Sequence, residues 1–276
     1  MKWFGYLRTT LFLSAGAGVF ALLGLLVVAF WWSPISPMSR DEPVILLSDG
    51  DVKGASRAYM QQATGWGSDK EREESLWRAA QLQAIELHSR KSALELLKAF
   101  QDSWPESEHR ADAFALMAEL YEPKRNGKLS EKNKRARLRK AAHTLEIANQ
   151  TNPEHERAGD WLVRAASIWM ELDRPLRADA IWRKASNYKE HRVAALMAIA
   201  NMQLADTPEL AYDSFRRALK HNPDSNDATL VRLGMATALE RMERYLEAED
   251  TIDLALSEDL GDLTLSQRKR RLETIR

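Results

Sequence analysis

One order of residues returns along most of this chain and limits what it can fold into. In "AYDSFRRALKHNP", residues 211–223, a small residue is followed four positions on by an aromatic, three further by a second small residue, and five beyond by a proline. The same order recurs as Ala178, Trp182 and Ala185, as Ala141, Leu145, Ala148 and Pro153, and as Ala248, Ile252 and Ala255. Looser copies stand at Ala93, Leu97, Phe100 and Pro105, and at Ala55 with Tyr59. Steps of four and three place the residues on one helical face. Alanine on that face lets two helices approach closely, while the large residue fills the space between layers. A partner helix precedes most of these. "LVRAASIWMEL" from Leu162 aligns Leu162, Ala165, Ala166, Trp169 and Leu172, and "ATALERMERYLEA" from Ala236 aligns Ala236, Leu239, Met242 and Tyr245. "LWRAAQL" from Leu76 and "FALMAELY" from Phe114 do the same with more drift. The reading is about six helix pairs, each burying its apolar face only against its neighbours.

These residues resemble the tetratricopeptide repeat (TPR), and the resemblance covers nearly everything after residue 43. It departs in spacing: the steps between leading alanines run 38, 48, 37, 33 and 37, against a family norm of about 34. It implies an all-α solenoid of about six helix pairs over residues 44–262, with ligands held in a concave groove lined by the first helix of each pair. Carried over position by position, the groove residues are Asp160, Val163, Ser167 and Met170 from one repeat and Val193, Leu196, Ala200 and Gln203 from the next. The lysine, asparagine and arginine clamp that some members use for acidic carboxyl-terminal peptides is not visible among them. A hydrophobic helix or an extended segment of a partner protein suits this lining better.

Helix punctuation agrees with the pairs. Ser68-x-x-Glu71, Ser103-x-x-Glu106 and Thr151-x-x-Glu154 have the form of capping boxes, and Thr207-Pro208 and Asn152-Pro153 set proline where its missing donor costs nothing. Gly65-Trp66-Gly67 and Asn126-Gly127 mark loops. Composition leans on Ala, Leu, Glu, Arg and Lys, the strong helix formers, and cysteine is absent, which removes disulfides and thiolate sites.

Before the repeats, "LFLSAGAGVFALLGLLVVAFWW" from Leu11 to Trp32 contains no charged residue and has the length a helix needs to cross a bilayer. Lys2 and Arg8 precede it, so the positive-inside bias predicts a cytoplasmic amino terminus and a repeat domain across the membrane. The expected layout is residues 1–10 in the cytoplasm, 11–32 in the inner membrane as a single span, 33–43 as a linker, 44–262 as a periplasmic repeat domain, and 263–276 as a basic helix or tail.

Formal net charge is zero, which argues against nucleic acid as the partner, yet charge is locally segregated. Residues 122–142 carry Lys124, Arg125, Lys128, Lys132, Lys134, Arg135, Arg137, Arg139 and Lys140 against two glutamates. The apolar face of this segment begins only at Leu138. Its first two turns are therefore expected to protrude as a basic arm, fitted to an acidic protein surface or to anionic lipid. Residues 240–262 hold nine acidic side chains against Arg241 and Arg244, and "QRKRR" at 267–271 is basic again.

The six histidines form no HExxH or i, i+4 pairing, and no phosphate-binding glycine loop, dinucleotide fingerprint or nucleophile elbow is present. No catalytic residue, metal or cofactor is expected. Of the nine tryptophans, Trp169 and Trp182 fall on core positions of the repeat and Trp77 and Trp161 on amphipathic helices, and Trp77 and Trp104 are the candidates for binding anchors. The expected function is a membrane-tethered TPR scaffold or assembly factor for envelope biogenesis or secretion. A cytoplasm-facing adaptor that recruits an enzyme, and a non-catalytic subunit of a larger membrane complex, are the alternatives.

Overall fold

The computed structural model describes residues 40–65, 67–124, 128–221, 223–258 and 269, and their regular structure is entirely helical. The apolar run Leu11–Trp32 lies outside the described residues, as does the basic stretch at 267–271 apart from Lys269. No helix among the described residues is long and apolar enough to cross a membrane. The chain divides into two compact units that part between Ala79 and Ala80.

In the first unit, α1 (Glu42–Ser48) packs on α2 (Val52–Thr64), and α3 (Asp69–Gln81) carries the chain to the boundary. Gly50, at φ +80°, turns the chain into α2, where Asp51 caps by accepting from the Gly54 amide at 2.8 Å. A Cβ on Gly54 would lie 2.2 Å from that carboxylate, so the cap depends on the glycine. The Ser68–Glu71 capping box forms as expected: the Ser68 amide donates to Glu71 Oε2 at 2.9 Å, and the Glu71 amide to Ser68 Oγ at 3.3 Å.

The second unit starts with a π-helical turn, Leu82–Glu86, and continues through α4 (Arg90–Ser103), α5 (Arg110–Tyr121), α6 (Glu131–Thr151), α7 (Ala158–Glu171), α8 (Pro175–Ala185), α9 (Arg192–Gln203), α10 (Pro208–Leu219), α11 (Ser225–Arg241) and α12 (Tyr245–Glu258). Each helix packs on the next, and α9 also touches α11. That is the pattern of stacked pairs in which α5, α7, α9 and α11 are first helices and α6, α8, α10 and α12 second helices. The small–large–small stripe is the buried one: Ala178, Trp182 and Ala185 on α8, Ala211, Phe215 and Ala218 on α10, and Ala248, Ile252 and Ala255 on α12 all lie in the core.

Two punctuation marks differ from expectation. Ser103 and Thr151 are the last residues of α4 and α6, not the residues before a helix. Thr151 Oγ1 donates back to the Ile147 carbonyl at 2.9 Å, the usual fate of a threonine inside a helix. Pro208 does open α10, and an unremarked Pro175 opens α8 in the same way. Trp77 is buried, which removes it as an exposed anchor, and Trp104 tilts against Phe100 with ring centroids 5.7 Å apart.

Candidate partner-binding face

The face that the pairing leaves open is clearest on α7. Trp161, Leu162, Ala165, Ala166, Ile168 and Trp169 are buried. The other arc carries Asp160, Val163, Ser167 and Met170, at steps of three and four, so the four residues chosen from the first repeat do share one surface. Asp160 and Met170 are exposed, Val163 and Ser167 half-buried. The Ser167 hydroxyl is engaged within the helix, donating to the Val163 carbonyl at 2.9 Å.

On α9 the expected register fails by one residue. Leu196 is 2% exposed and Ala200 0%, both in a core cluster with Ala211, Phe215 and Val231. Val193 packs against the same cluster, and Gln203 faces α10, accepting from Ser214 Oγ at 2.9 Å. The outward residues of α9 are instead Ala194, Ala198 and Asn201, exposed or half-buried, while half-buried Met197 packs against that cluster as Val193 does.

The cause lies in the turns. From Ala166 to Ala178 is 12 residues, whereas from the equivalent Ala200 to Ala211 is 11, so second helices step by 33 while first helices step by 34. After α7 the chain reverses through Asp173 at φ +58°, with the Arg174 amide donating to the Trp169 carbonyl at 2.9 Å. The turn after α11 repeats this with Glu243 at φ +58° and Arg244 donating to Leu239. The turn after α9 has no such residue. The buried pairs Ala195–Leu196 and Ile199–Ala200 carried the correct register in the sequence.

Acidic groups along this face are tied to the following repeat. Asp112 on α5 meets His155 at 3.4 Å, and Asp160, at the same place on α7, meets His191 at 3.0 Å. Glu119 pairs with Arg157 at 3.6 Å. Arg164 holds the Glu122 carboxylate through both Nε and Nη2, and that hydrogen bond raises the Arg164 pKa. With these carboxylates engaged, the open arc of α7 and α9 offers Val163, Met170 and Ala198 beside Ser167 and Asn201. No group of three His, Asp or Glu side chains among the described residues is placed to hold a metal ion.

No family model matches this chain, and no curated protein matches it. Solved structures do. The carboxyl-terminal part of a TPR repeat-containing protein from Cytophaga hutchinsonii superposes with a TM-score of 0.58 at 11% identity, covering 94% of this chain and 98% of that one. YrrB, described as a TPR protein with an unusual peptide-binding site, superposes with a TM-score of 0.50 at 14% identity, covering 78% of this chain and 99% of that one. The chain has the TPR fold.

Within this TPR array the basic segment is placed differently from the protruding arm read in the sequence. Ser130 caps α6 as expected, accepting from the Asn133 amide at 3.4 Å. The first turns of α6 then reach across to the ends of two first helices. Arg135 Nη2 donates to the Leu172 carbonyl at 2.7 Å, at the end of α7, while Lys134 meets Glu171 at 3.4 Å. Arg137 Nε donates to the Tyr121 carbonyl at 3.1 Å and its Nη2 reaches the Leu120 and Glu122 carbonyls, at the end of α5. Helix carboxyl ends carry unpaired carbonyls and a partial negative charge, so cations belong there. Desolvation at this site lowers the Arg137 pKa. The Lys140 ammonium sits 4.2 Å from the centre of the Tyr121 ring. Lys124, Lys128, Lys132 and Arg139 are exposed, and Arg125 lies outside the described residues.

Proposed function

We propose that this chain is a membrane-tethered TPR scaffold or assembly factor, which holds a segment of a partner protein along the open arc of its first helices and performs no catalysis itself. The observation that carries the reading is the composition of that arc. Val163, Met170 and Ala198 supply apolar contact, Ser167 and Asn201 flank them, and the carboxylates nearby are engaged by arginine and histidine side chains of the next repeat. An apolar helix or extended segment fits such a lining. The peptide-binding site in the description of YrrB is in keeping with a peptide segment as the ligand.

The tether in this reading is Leu11–Trp32, with Lys2 and Arg8 on the cytoplasmic side and the repeats in the periplasm. There the array serves envelope assembly or secretion. Exposed Lys124, Lys128, Lys132 and Arg139 add an attraction for acidic protein or anionic lipid that salt weakens. Capture of the full chain at native expression, followed by mass spectrometry, should recover a reproducible partner that Met170→Asp together with Ala194→Asp loses. Recovery unaffected by both substitutions would reject the face. A carboxyl-terminal reporter active only in the cytoplasm would reject the orientation.

A further inference from the structure

A leucine stands exposed where each first helix hands the chain to its second. Leu129 follows α5, Leu176 follows α7, Leu210 follows α9 and Leu246 follows α11, and Leu176 is 89% exposed. None belongs to the buried stripe, since Leu176 and Leu246 fall two residues before Ala178 and Ala248, and Leu210 one before Ala211. Consecutive helices pack antiparallel, so the four turns share one edge of the second unit. Arg135, near the start of α6, reaches the Leu172 carbonyl at the end of α7, and Tyr212 of α10 packs on the same core cluster as Tyr245 of α12. The opposite edge, at 104–109, 152–157, 186–191 and 220–224, carries no exposed large apolar side chain among the described residues. Apolar side chains gathered on one edge in water mark a contact surface.

Charge changes sign along this row. Beside Leu129 stand exposed Lys124, Lys128 and Lys132 against Glu131. Beside Leu176 exposed Asp173 and Arg174 balance. Beside Leu210 stand exposed Asp206 and Glu209 with no cation in that turn. In the turn of Leu246, Arg244 pairs with Glu247 and Glu243 is exposed. An anionic bilayer or an acidic partner laid along the row meets repulsion at Asp206 and Glu209, and a basic partner meets it at the lysines. A second copy turned end for end meets neither.

We propose that this edge is a self-complementary surface whose occupant is a second copy of the chain, the two related by a two-fold axis at Leu176, with Lys128 and Lys132 of one copy facing Asp206 and Glu209 of the other. A two-fold contact joins the same patch on both copies, so a row that is basic at one end, neutral at its axis and acidic beyond it satisfies both contacts at once. The apolar row supplies attraction, and the flanking charges fix the antiparallel direction. The contact takes in the turns alone, and Ala180, a helical turn further along α8, stays outside it. A row of this size makes a weak dimer, in the micromolar range.

The test uses the full chain in detergent. Because the chain has no cysteine, Leu176→Cys carries a single thiol, which meets its own copy at the axis. Diamide should convert it to a disulfide of dimer mass, while Leu246→Cys, away from the axis, should remain at monomer mass. Sedimentation through the micromolar range should show the parent dimerising, with weakening in salt. Lys128→Glu/Lys132→Glu and Asp206→Lys/Glu209→Lys should each associate about tenfold or more weakly alone, because like charges then face each other at both contacts. Mixed together, the two variants should regain dimer mass. A parent that stays monomeric, a disulfide formed as readily at 246 as at 176, self-association unchanged in both reversed variants, or no association on mixing them would each overturn the proposal, and the first would leave the row to a different protein.

Discussion

Arg135 donates to the main-chain carbonyl of Leu172, 2.7 Å away and 37 residues along the chain. With Arg137 on the carbonyls of Leu120, Tyr121 and Glu122, it makes α6 a clamp that closes the carboxyl ends of the first helices on either side of it, α5 and α7. The dense positive charge between residues 131 and 140 serves the fold before it serves any partner.

That assignment separates two groups of cations. Arg135→Ala and Arg137→Ala should each cost about 1.5–3 kcal/mol, the range for hydrogen bonds made by a charged donor. Lys132→Gln and Arg139→Gln, at exposed positions, should stay within about 0.5 kcal/mol. Chemical denaturation of the four variants measures the difference.

Glu146 is a buried carboxylate with a defined task. It accepts from Trp169 Nε1 at 2.7 Å, while Arg177, 4.0 Å above the Trp169 ring, approaches it at 3.5 Å. Glu146→Ala leaves the indole N–H without its acceptor and should destabilise by about 1–3 kcal/mol. Glu146→Gln keeps an acceptor oxygen and should cost less than half as much in the same unfolding experiment.

Asp173 and Glu243 occupy left-handed backbone at φ +58° with an ordinary side chain. A Cβ there is strained by about 1–2 kcal/mol, and glycine relieves it at some entropic cost in the unfolded chain. Asp173→Gly and Glu243→Gly should each raise thermal stability, by about 0.5–1 kcal/mol after that offset. Thermal unfolding reads the sign.

Neighbouring residues on α9 should behave oppositely. Leu196→Ala empties a core position and should cost about 2–5 kcal/mol. Ala194→Asp, at an exposed position on the same helix, should leave cooperative unfolding intact and diminish partner recovery. Unfolding and capture performed on both variants check this.

The fold was legible because side-chain size alone sets the buried stripe: alanine, a large residue, alanine, at steps that no strand or loop would keep. The face was legible on α7 and misread on α9, because the alanine step of 33 was assigned to first helices when a turn one residue shorter accounts for it. Turn length is fixed by backbone conformation, and Asp173 announces no left-handed turn in its sequence. The role of Arg135 was hidden for another reason, since its acceptor is a main-chain carbonyl brought near only when α6 and α7 stack. A charge run shows where cations are, not which carbonyls will need them.

Site-specific photocrosslinking on the full chain tests the central claim most directly. A photoreactive residue at Ser167 or Asn201, on the open arc, should capture a protein adduct at native expression, while the same residue at exposed Ala180 on α8 should not. Adducts formed at Ala180 with none at Ser167 or Asn201 would contradict the account.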